Sequence, residues 1–249
     1  MKVFGDYAAY YNLLYKDKNY AEETDYIFGL INKFNPKTKD ILELGCGTGK
    51  HADLLSKKGL NVHGIDISEE MLCQARNFTK EGVSFDIGDV RKYRINKKFD
   101  LVLSLFHVAS YQVTNQDLKE YFETAATHLN QGGVFIFDVW YGPAVLNQKP
   151  ENRTKNLEDE VIKITRNATP VINYNQNTVD VNYDIIVFDK ATKTENKLKE
   201  THKMRYLFKP ELELMLNHSG FNLIHGEEWL SGREIGPDSW GSCFVGVKK

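Results

Sequence analysis

The sequence predicts an α/β fold in which helices cover both faces of a doubly wound, mostly parallel sheet. Three observations carry that prediction. Short apolar runs alternate with helical patterns from residue 40 to residue 139. A glycine-rich bend, Glu43-Leu44-Gly45-Cys46-Gly47-Thr48-Gly49, joins the first run to the first of those helices. Between residues 141 and 208 the pattern shifts to a two-residue alternation, the period of half-exposed strands. Strands buried on both faces and separated by helices belong to parallel sheets.

Taken in order, residues 1–36 are expected to form an N-terminal helical lid. They are rich in tyrosine (Tyr7, Tyr10, Tyr11, Tyr15 and Tyr20), and Ile27, Leu30, Ile31 and Phe34 recur at helical spacing before Pro36 stops the helix. The core is expected over residues 37–140 and 209–249. Its first strands are Asp40–Leu44, Asn61–Asp66, Val83–Ile87, Phe99–Leu105 and Val134–Val139. Ser68 is a good N-cap for the helix after the second strand. Thr114 and Asp117 fit a capping box ahead of a helix whose inner face is Leu118, Tyr121, Phe122, Ala125 and Leu129. Pro210 and Gly220 bracket a last helix, and Phe221–Leu230 with Cys243–Val247 complete a seven-stranded, Rossmann-like sheet. Residues 141–208 read as a small inserted antiparallel sheet, with Val179–Val187 in the middle and neighbours at Val161–Arg166 and His202–Phe208.

Composition excludes several classes. The 249 residues carry 32 Lys plus Arg against 34 Asp plus Glu, a net charge of −2, which argues against a general nucleic-acid binder. No apolar run reaches the ~18–20 residues of a membrane helix, and the opening Met-Lys-Val-Phe-Gly-Asp has no signal-peptide core, so a soluble, cytoplasmic protein is expected. Cys46, Cys73 and Cys243 show no CxxC spacing, and no His-Glu-x-x-His occurs, so neither a disulfide framework nor a metal is expected.

The bend carries the chemistry. Glycines after a first strand let the chain turn sharply and let a ligand approach without a Cβ in the way. Asp66 ends the second strand about twenty residues on, where a carboxylate can accept both ribose hydroxyl protons. An adenosine-containing cofactor follows. It is not a dinucleotide, because Lys50 stands where G-x-G-x-x-G needs its last glycine, and the phosphate-loop pattern fails at Leu44 and His51.

The stretch E-L-G-C-G-T-G resembles the glycine motif of class I S-adenosylmethionine-dependent methyltransferases, together with Asp66, Gly88-Asp89-Val90 and Leu129 three residues before Gly132-Gly133. The resemblance covers residues 38–139 and implies S-adenosyl-L-methionine as cofactor and S-adenosylhomocysteine as product. It places Gly45, Cys46, Gly47 and Gly49 around the methionine moiety and Asp66 at the ribose. It also places Asp89 and Val90 at the adenine edge, Ile67 and Met71 as apolar walls, and Glu43 toward the cofactor's ammonium. Leu105 begins the loop beside the transferable methyl.

A closer similarity, to bacterial N,N-dimethyltransferases of nucleotide-linked amino sugars (the desosamine and mycaminose type), extends over nearly the whole chain. It rests on Lys18-Asn19-Tyr20-Ala21-Glu22-Glu23, Trp140-Tyr141, Ser231-Gly232-Arg233 and Phe244-Val245-Gly246. It implies Tyr20 at the cofactor, Tyr111 beside the acceptor and Arg233 at a pyrophosphate. Tyr7, Tyr11 and Trp140 join the substrate side. The chain departs from that family in the segment Glu234–Ser242 and in having His107 and Val108 where those enzymes have small serines.

The expected reaction is in-line methyl transfer to an amine or hydroxyl of a small molecule, with no nucleic-acid or membrane partner and a homodimer left open. A neutral amine needs no strong base, whereas a hydroxyl would need one, and His107 is the first candidate. Tyr111 is the second residue assigned to catalysis. The alternatives are an O-methyltransferase of another metabolite, a non-catalytic S-adenosylmethionine-binding protein, and a nicotinamide-dependent oxidoreductase that Lys50 disfavours.

Overall fold

A strand buried on both sides sends alternate side chains to opposite layers, and the sheet follows that rule residue by residue. In the computed structural model, which describes residues 10–78 and 81–249, β1 (Asp40–Leu44), β2 (Asn61–Asp66), β3 (Val83–Ile87), β4 (Phe99–Ser104) and β5 (Leu129–Tyr141) run parallel in the order β3-β2-β1-β4-β5. The antiparallel strand β11 (Gly241–Lys248) pairs with β5, and β10 (Phe221–Glu228) closes that edge.

Ile41, Leu101, Leu103, Val134 and Ile136 face one layer, made by α2 (Tyr20–Phe34) and α3 (Lys50–Ser56) through Ile27, Leu30, Ile31, Ala52 and Leu55. Leu42, Leu44, Val102, Phe135 and Phe137 face the other, made by α5 (Asn115–His128) and α7 (Lys209–His218) through Leu118, Tyr121, Phe122, Leu212 and Leu216. Helix α4 (Glu69–Phe78) starts at Ser68, whose Oγ accepts the Met71 N–H at 3.2 Å. Thr114 caps α5 by accepting the Asp117 N–H at 3.0 Å. The described helices include none long and apolar enough to cross a membrane.

Two elements differ from the sequence expectation. Strand β5 begins at Leu129, not Val134, because Leu129 already pairs with Phe99 across a register irregularity that absorbs the glycines. The inserted sheet has four strands: β6 (Arg153–Glu158), β7 (Ile162–Asn173), β8 (Thr178–Asp189) and β9 (Thr194–Leu207), each pairing antiparallel with the next. β6 escaped notice because Arg153–Glu158 is almost wholly polar and exposed, with only Leu157 buried. Helix α6 (Gly142–Gln148) leads into the insertion from β5. The insertion is not a separate body on a tether. Trp140 and Tyr141 of β5 pair in parallel with Tyr206 and Leu207 of β9, so the two sheets share a seam. The short helix α1 (Tyr11–Leu14) fills the angle between them, its Tyr11 and Leu14 packing with Met71 of α4 and Ile164, Ile185 and Val187 of the insertion.

Candidate active site

Beyond the C-terminal ends of β1, β2 and β4 lies a cavity of about 640 Å³, bounded by the glycine bend, the start of α4, the loop after β4, the N-terminal helices and the inner face of β8 and β9. The bend owes its shape to three left-handed glycines, at φ +75°, +54° and +70° for Gly45, Gly47 and Gly49. They do different work. A methyl on Gly45 would stand 2.5 Å from Val108 Cγ2, whereas Gly47 faces open space. A Cβ on Gly49 would stand 2.6 Å from Phe85 Cζ. Gly49 therefore seats α3 against β3 and is not among the residues that line the cavity.

Asp66 and the bend are locked together. The Gly47 N–H donates to Asp66 Oδ2 at 2.9 Å, and the Ser68 N–H donates to Oδ1 at 2.9 Å. Each oxygen keeps a further lone pair, and the carboxylate lines the cavity. Burial raises the Asp66 pKa, and those backbone donors oppose the rise.

Glu43, one turn of the pleat below, is buried and pushed up to about 8, first by desolvation and then by the Asp66 charge. Its Oε2 is buried with no hydrogen-bond partner, an acceptor aimed where a donor belongs. Beside it Glu23 bonds His51 Nε2 at 2.8 Å and Lys18 Nζ at 2.8 Å. Burial alone would raise Glu23, but the bond from His51 and the charge of Lys18 hold it below its ordinary value. Lys18 also sits over the rings of Phe106 at 3.9 Å and Tyr20 at 4.6 Å, a cation between two aromatic faces. Burial lifts the Cys46 thiol well above its usual range, which suits packing and not nucleophilic attack.

The next stretch of wall is apolar yet open. Ile67 and Ile87 are 62% and 59% exposed, unusual for isoleucine, and both line the cavity with Met71 and Val90. Asp89 stands beside them, but Arg91 grips its carboxylate, with Nε at 2.9 Å from Oδ1 and Nη2 at 2.6 Å from Oδ2, and holds its pKa low. Asp89 thus reaches the cavity as half of an ion pair.

The loop after β4 forms the far wall. Leu105 is buried, and Phe106 and His107 both adopt φ +65°. Consecutive left-handed residues with side chains are strained and need fixing from outside. Asp138 of β5 supplies it: the His107 N–H donates to Oδ1 at 2.9 Å, and Nδ1 lies 2.8 Å from Oδ2, close enough for an ion pair though not aligned as a hydrogen bond. His107 lines the cavity with one face already committed to Asp138. Tyr111, on the 3-10 turn Val108–Tyr111, meets His202 Nδ1 through its hydroxyl at 2.7 Å.

The cavity brings together Tyr11, Tyr20, Glu43, Gly45, Cys46, Gly47, Asp66, Ile67, Met71, Asp89, Val90, Leu105, His107, Tyr111 and Trp140. Arg233 is not among them. Its guanidinium is exposed and donates to Glu228 at 2.7 and 2.9 Å, with Asp238 at 3.7 Å, so the structure does not bring it to the cavity. Tyr7 lies outside the described residues. Sequence reasoning missed Lys18, Tyr15 and Gln112, and it missed Val181, Tyr183, His202 and Met204 of the insertion. The alternation of β8 and β9 was visible, but which face turns inward depends on how the insertion docks.

Comparison with known proteins finds relatives for part of the chain. Residues 41–133 match the family model described as a methyltransferase domain. Over that segment the chain is similar to a methyltransferase domain. It is 33% identical over 140 residues to dTDP-3-amino-3,4,6-trideoxy-alpha-D-glucopyranose N,N-dimethyltransferase of Streptomyces venezuelae, a match covering 55% of this chain and 59% of that protein. The chain thus spans less than two thirds of that relative's length. The crystal structure of Streptomyces venezuelae DesVI superposes with a TM-score of 0.82 at 26% identity, covering 100% of both chains. A crystal structure of an S-adenosylmethionine-dependent methyltransferase from Clostridium acetobutylicum superposes with a TM-score of 0.80 at 26% identity, covering 96% of both. The fold is that of the S-adenosylmethionine-dependent methyltransferases, and residues 41–133, which match the family model, hold the bend, Asp66 and Asp89.

Proposed function

We propose that the chain is an S-adenosylmethionine-dependent methyltransferase acting on an amine of a small molecule, with a nucleotide-linked amino sugar as the substrate class. The observation that carries the reading is the Gly47–Asp66 contact at 2.9 Å beside the orphaned Oε2 of Glu43. One offers a carboxylate to a sugar diol, the other an acceptor to an ammonium, and both line the same cavity. When bound, S-adenosylmethionine supplies a methyl group on a sulfonium centre, and the reactivity is its own.

The chain's residues bind, orient and exclude water. Asp66 holds the ribose, Glu43 takes the ammonium, and Ile67, Met71, Ile87 and Val90 offer their apolar faces to the flat base. Four carboxylates on the wall besides Glu43 (Asp66, Glu69, Glu70 and Asp89) favour a cationic ligand. Phe106, Trp140 and Tyr183 make a largely apolar acceptor side, which keeps an amine neutral and able to attack. Alignment of two bound reactants lowers such a barrier by up to ~7–11 kcal/mol. The amino-sugar class rests on the relative named above. No contact from Arg233 to a pyrophosphate supports it, and Lys18 and Lys50 are the lysines that border the cavity.

Titration calorimetry with S-adenosylmethionine, S-adenosylhomocysteine and NAD tests the cofactor. Release of S-adenosylhomocysteine with dTDP-3-amino-3,4,6-trideoxyglucose tests the acceptor. NAD binding without S-adenosylmethionine binding would refute the reading.

A further inference from the structure

On the acceptor side three polar side chains form a line that the cofactor reading does not use. Tyr111 Oη lies 2.7 Å from His202 Nδ1, and His202 Nε2 lies 3.0 Å from Glu200 Oε2. Glu200 and His202 stand two residues apart on β9 and so share a face. β8 backs them in register, with Val181 opposite His202 and Tyr183 opposite Glu200. The side chains of His202 and Glu200 are only 6% and 10% exposed, yet His202 and Tyr111 both reach the cavity. A carboxylate can only accept, so the proton of the neutral imidazole belongs on Nε2. Nδ1 is then an acceptor, and the Tyr111 hydroxyl must be its donor. That orientation spends the only proton of Tyr111 on His202, so toward a ligand in the cavity, which Tyr111 lines, its oxygen can act only as an acceptor.

We propose that Glu200 and His202 are positioning residues that fix Tyr111 as the hydrogen-bond acceptor for an N–H of the amine substrate, and that this line takes up the proton which the methylated nitrogen sheds. The proposal rests on the methyltransferase reading and deepens it: the acceptor must present a hydrogen-bond donor to Tyr111. Before transfer, one N–H of the neutral amine donates to Tyr111 Oη. As the nitrogen lone pair forms the bond to carbon, the electrons of the carbon–sulfur bond leave with sulfur and the nitrogen becomes an ammonium. One N–H bond of that ammonium then breaks and an Oη–H bond forms, while the former Oη–H bond breaks and an Nδ1–H bond forms. The imidazolium is left against the Glu200 carboxylate, which favours the charge. It returns the proton to water once the product has left.

The other groups facing this line are few among the described residues. Tyr15 and Tyr183 flank it, Arg166 sits 4.8 Å over the Tyr183 ring, and the His107–Asp138 pair borders the turn that carries Tyr111.

The first test reads the ligand-free protein. Nitrogen-15 spectra of the histidine side chains are expected to show His202 as the Nε2–H tautomer, with the Nδ1 resonance moving in Tyr111→Phe. An Nδ1–H tautomer overturns the proposal. The second is kinetic, with S-adenosylmethionine and dTDP-3-amino-3,4,6-trideoxyglucose. Tyr111→Phe and His202→Gln are each expected to lower kcat about 100-fold, within the range of general-base deletions, and to leave the dissociation constant of S-adenosylmethionine within twofold. A kcat within threefold of wild type in both variants overturns the proposal. Failure of wild type to bind S-adenosylmethionine would instead sink the methyltransferase reading, and the tautomer would still decide the hydrogen-bond line.

Discussion

Replacing Glu43 with glutamine should make the ligand-free protein more stable and the cofactor site worse. The carboxyl is fully buried and its pKa stands at about 8 against an ordinary 4.5, so folding costs its ionised form free energy. A folded-state pKa above the unfolded one means that this group favours the native state fully below pH 4.5, and that the advantage is lost as pH rises toward 8. At about 1.4 kcal/mol per pH unit, the displacement amounts to ~5 kcal/mol above pH 8 and ~3 kcal/mol at pH 7. Glutamine has the same shape and no charge to desolvate. Urea unfolding of wild type and Glu43→Gln, measured without ligand from pH 5 to pH 9, should give curves that diverge as pH rises, with the variant ahead by ~3 kcal/mol at pH 7. Calorimetry should find S-adenosylmethionine bound more weakly by the variant, and wild type releasing a proton on binding at pH 7. Parallel stability curves would refute the reasoning, because they would mean that Glu43 is not held protonated in the folded chain.

Asp66→Ala strands the Gly47 and Ser68 N–H donors, at a cost of ~1–3 kcal/mol for each buried one, and should weaken S-adenosylmethionine at least 100-fold by calorimetry. An affinity within fivefold of wild type would remove Asp66 from the ribose. Gly45→Ala meets both a φ of +75° and Val108 Cγ2 at 2.5 Å, so thermal melts should show a loss of ~1–3 kcal/mol. Gly47→Ala, which meets no atom within 4 Å, should cost less stability while still lowering cofactor affinity. Arg233→Ala should leave KM for dTDP-3-amino-3,4,6-trideoxyglucose within twofold, since its guanidinium is held by Glu228, and a tenfold rise would return Arg233 to the pyrophosphate.

The cofactor end of the cavity was legible because it is local. Gly45, Gly47 and Asp66 sit at strand ends whose positions follow from periodicity, and parallel pairing of β1 with β2 sets those ends side by side. The sheet was legible for the same reason. The acceptor end is not local: Tyr111 and His202 are 91 residues apart, and no spacing rule joins them. Arg233 lies away from the cavity with Glu228, five residues earlier, as its partner; a phosphate-binding fork and a partner for a nearby carboxylate look alike in one dimension. The packing of Gly49 against Phe85 was not legible, because a glycine needed for packing and one needed for ligand approach are the same letter. His107 was visible as a loop histidine, but its tie to Asp138 came from the pairing of β4 with β5.

The seam at Trp140–Tyr206 and Tyr141–Leu207 gives the wall around the acceptor the same backbone as the floor beneath the donor. Such a wall cannot be re-hinged to admit a new compound without disturbing Asp138 and the strained bend it steadies. A descendant of this chain that changes diet must therefore do so by exchanging inward side chains such as Val181, Tyr183 and Met204, one pleat at a time.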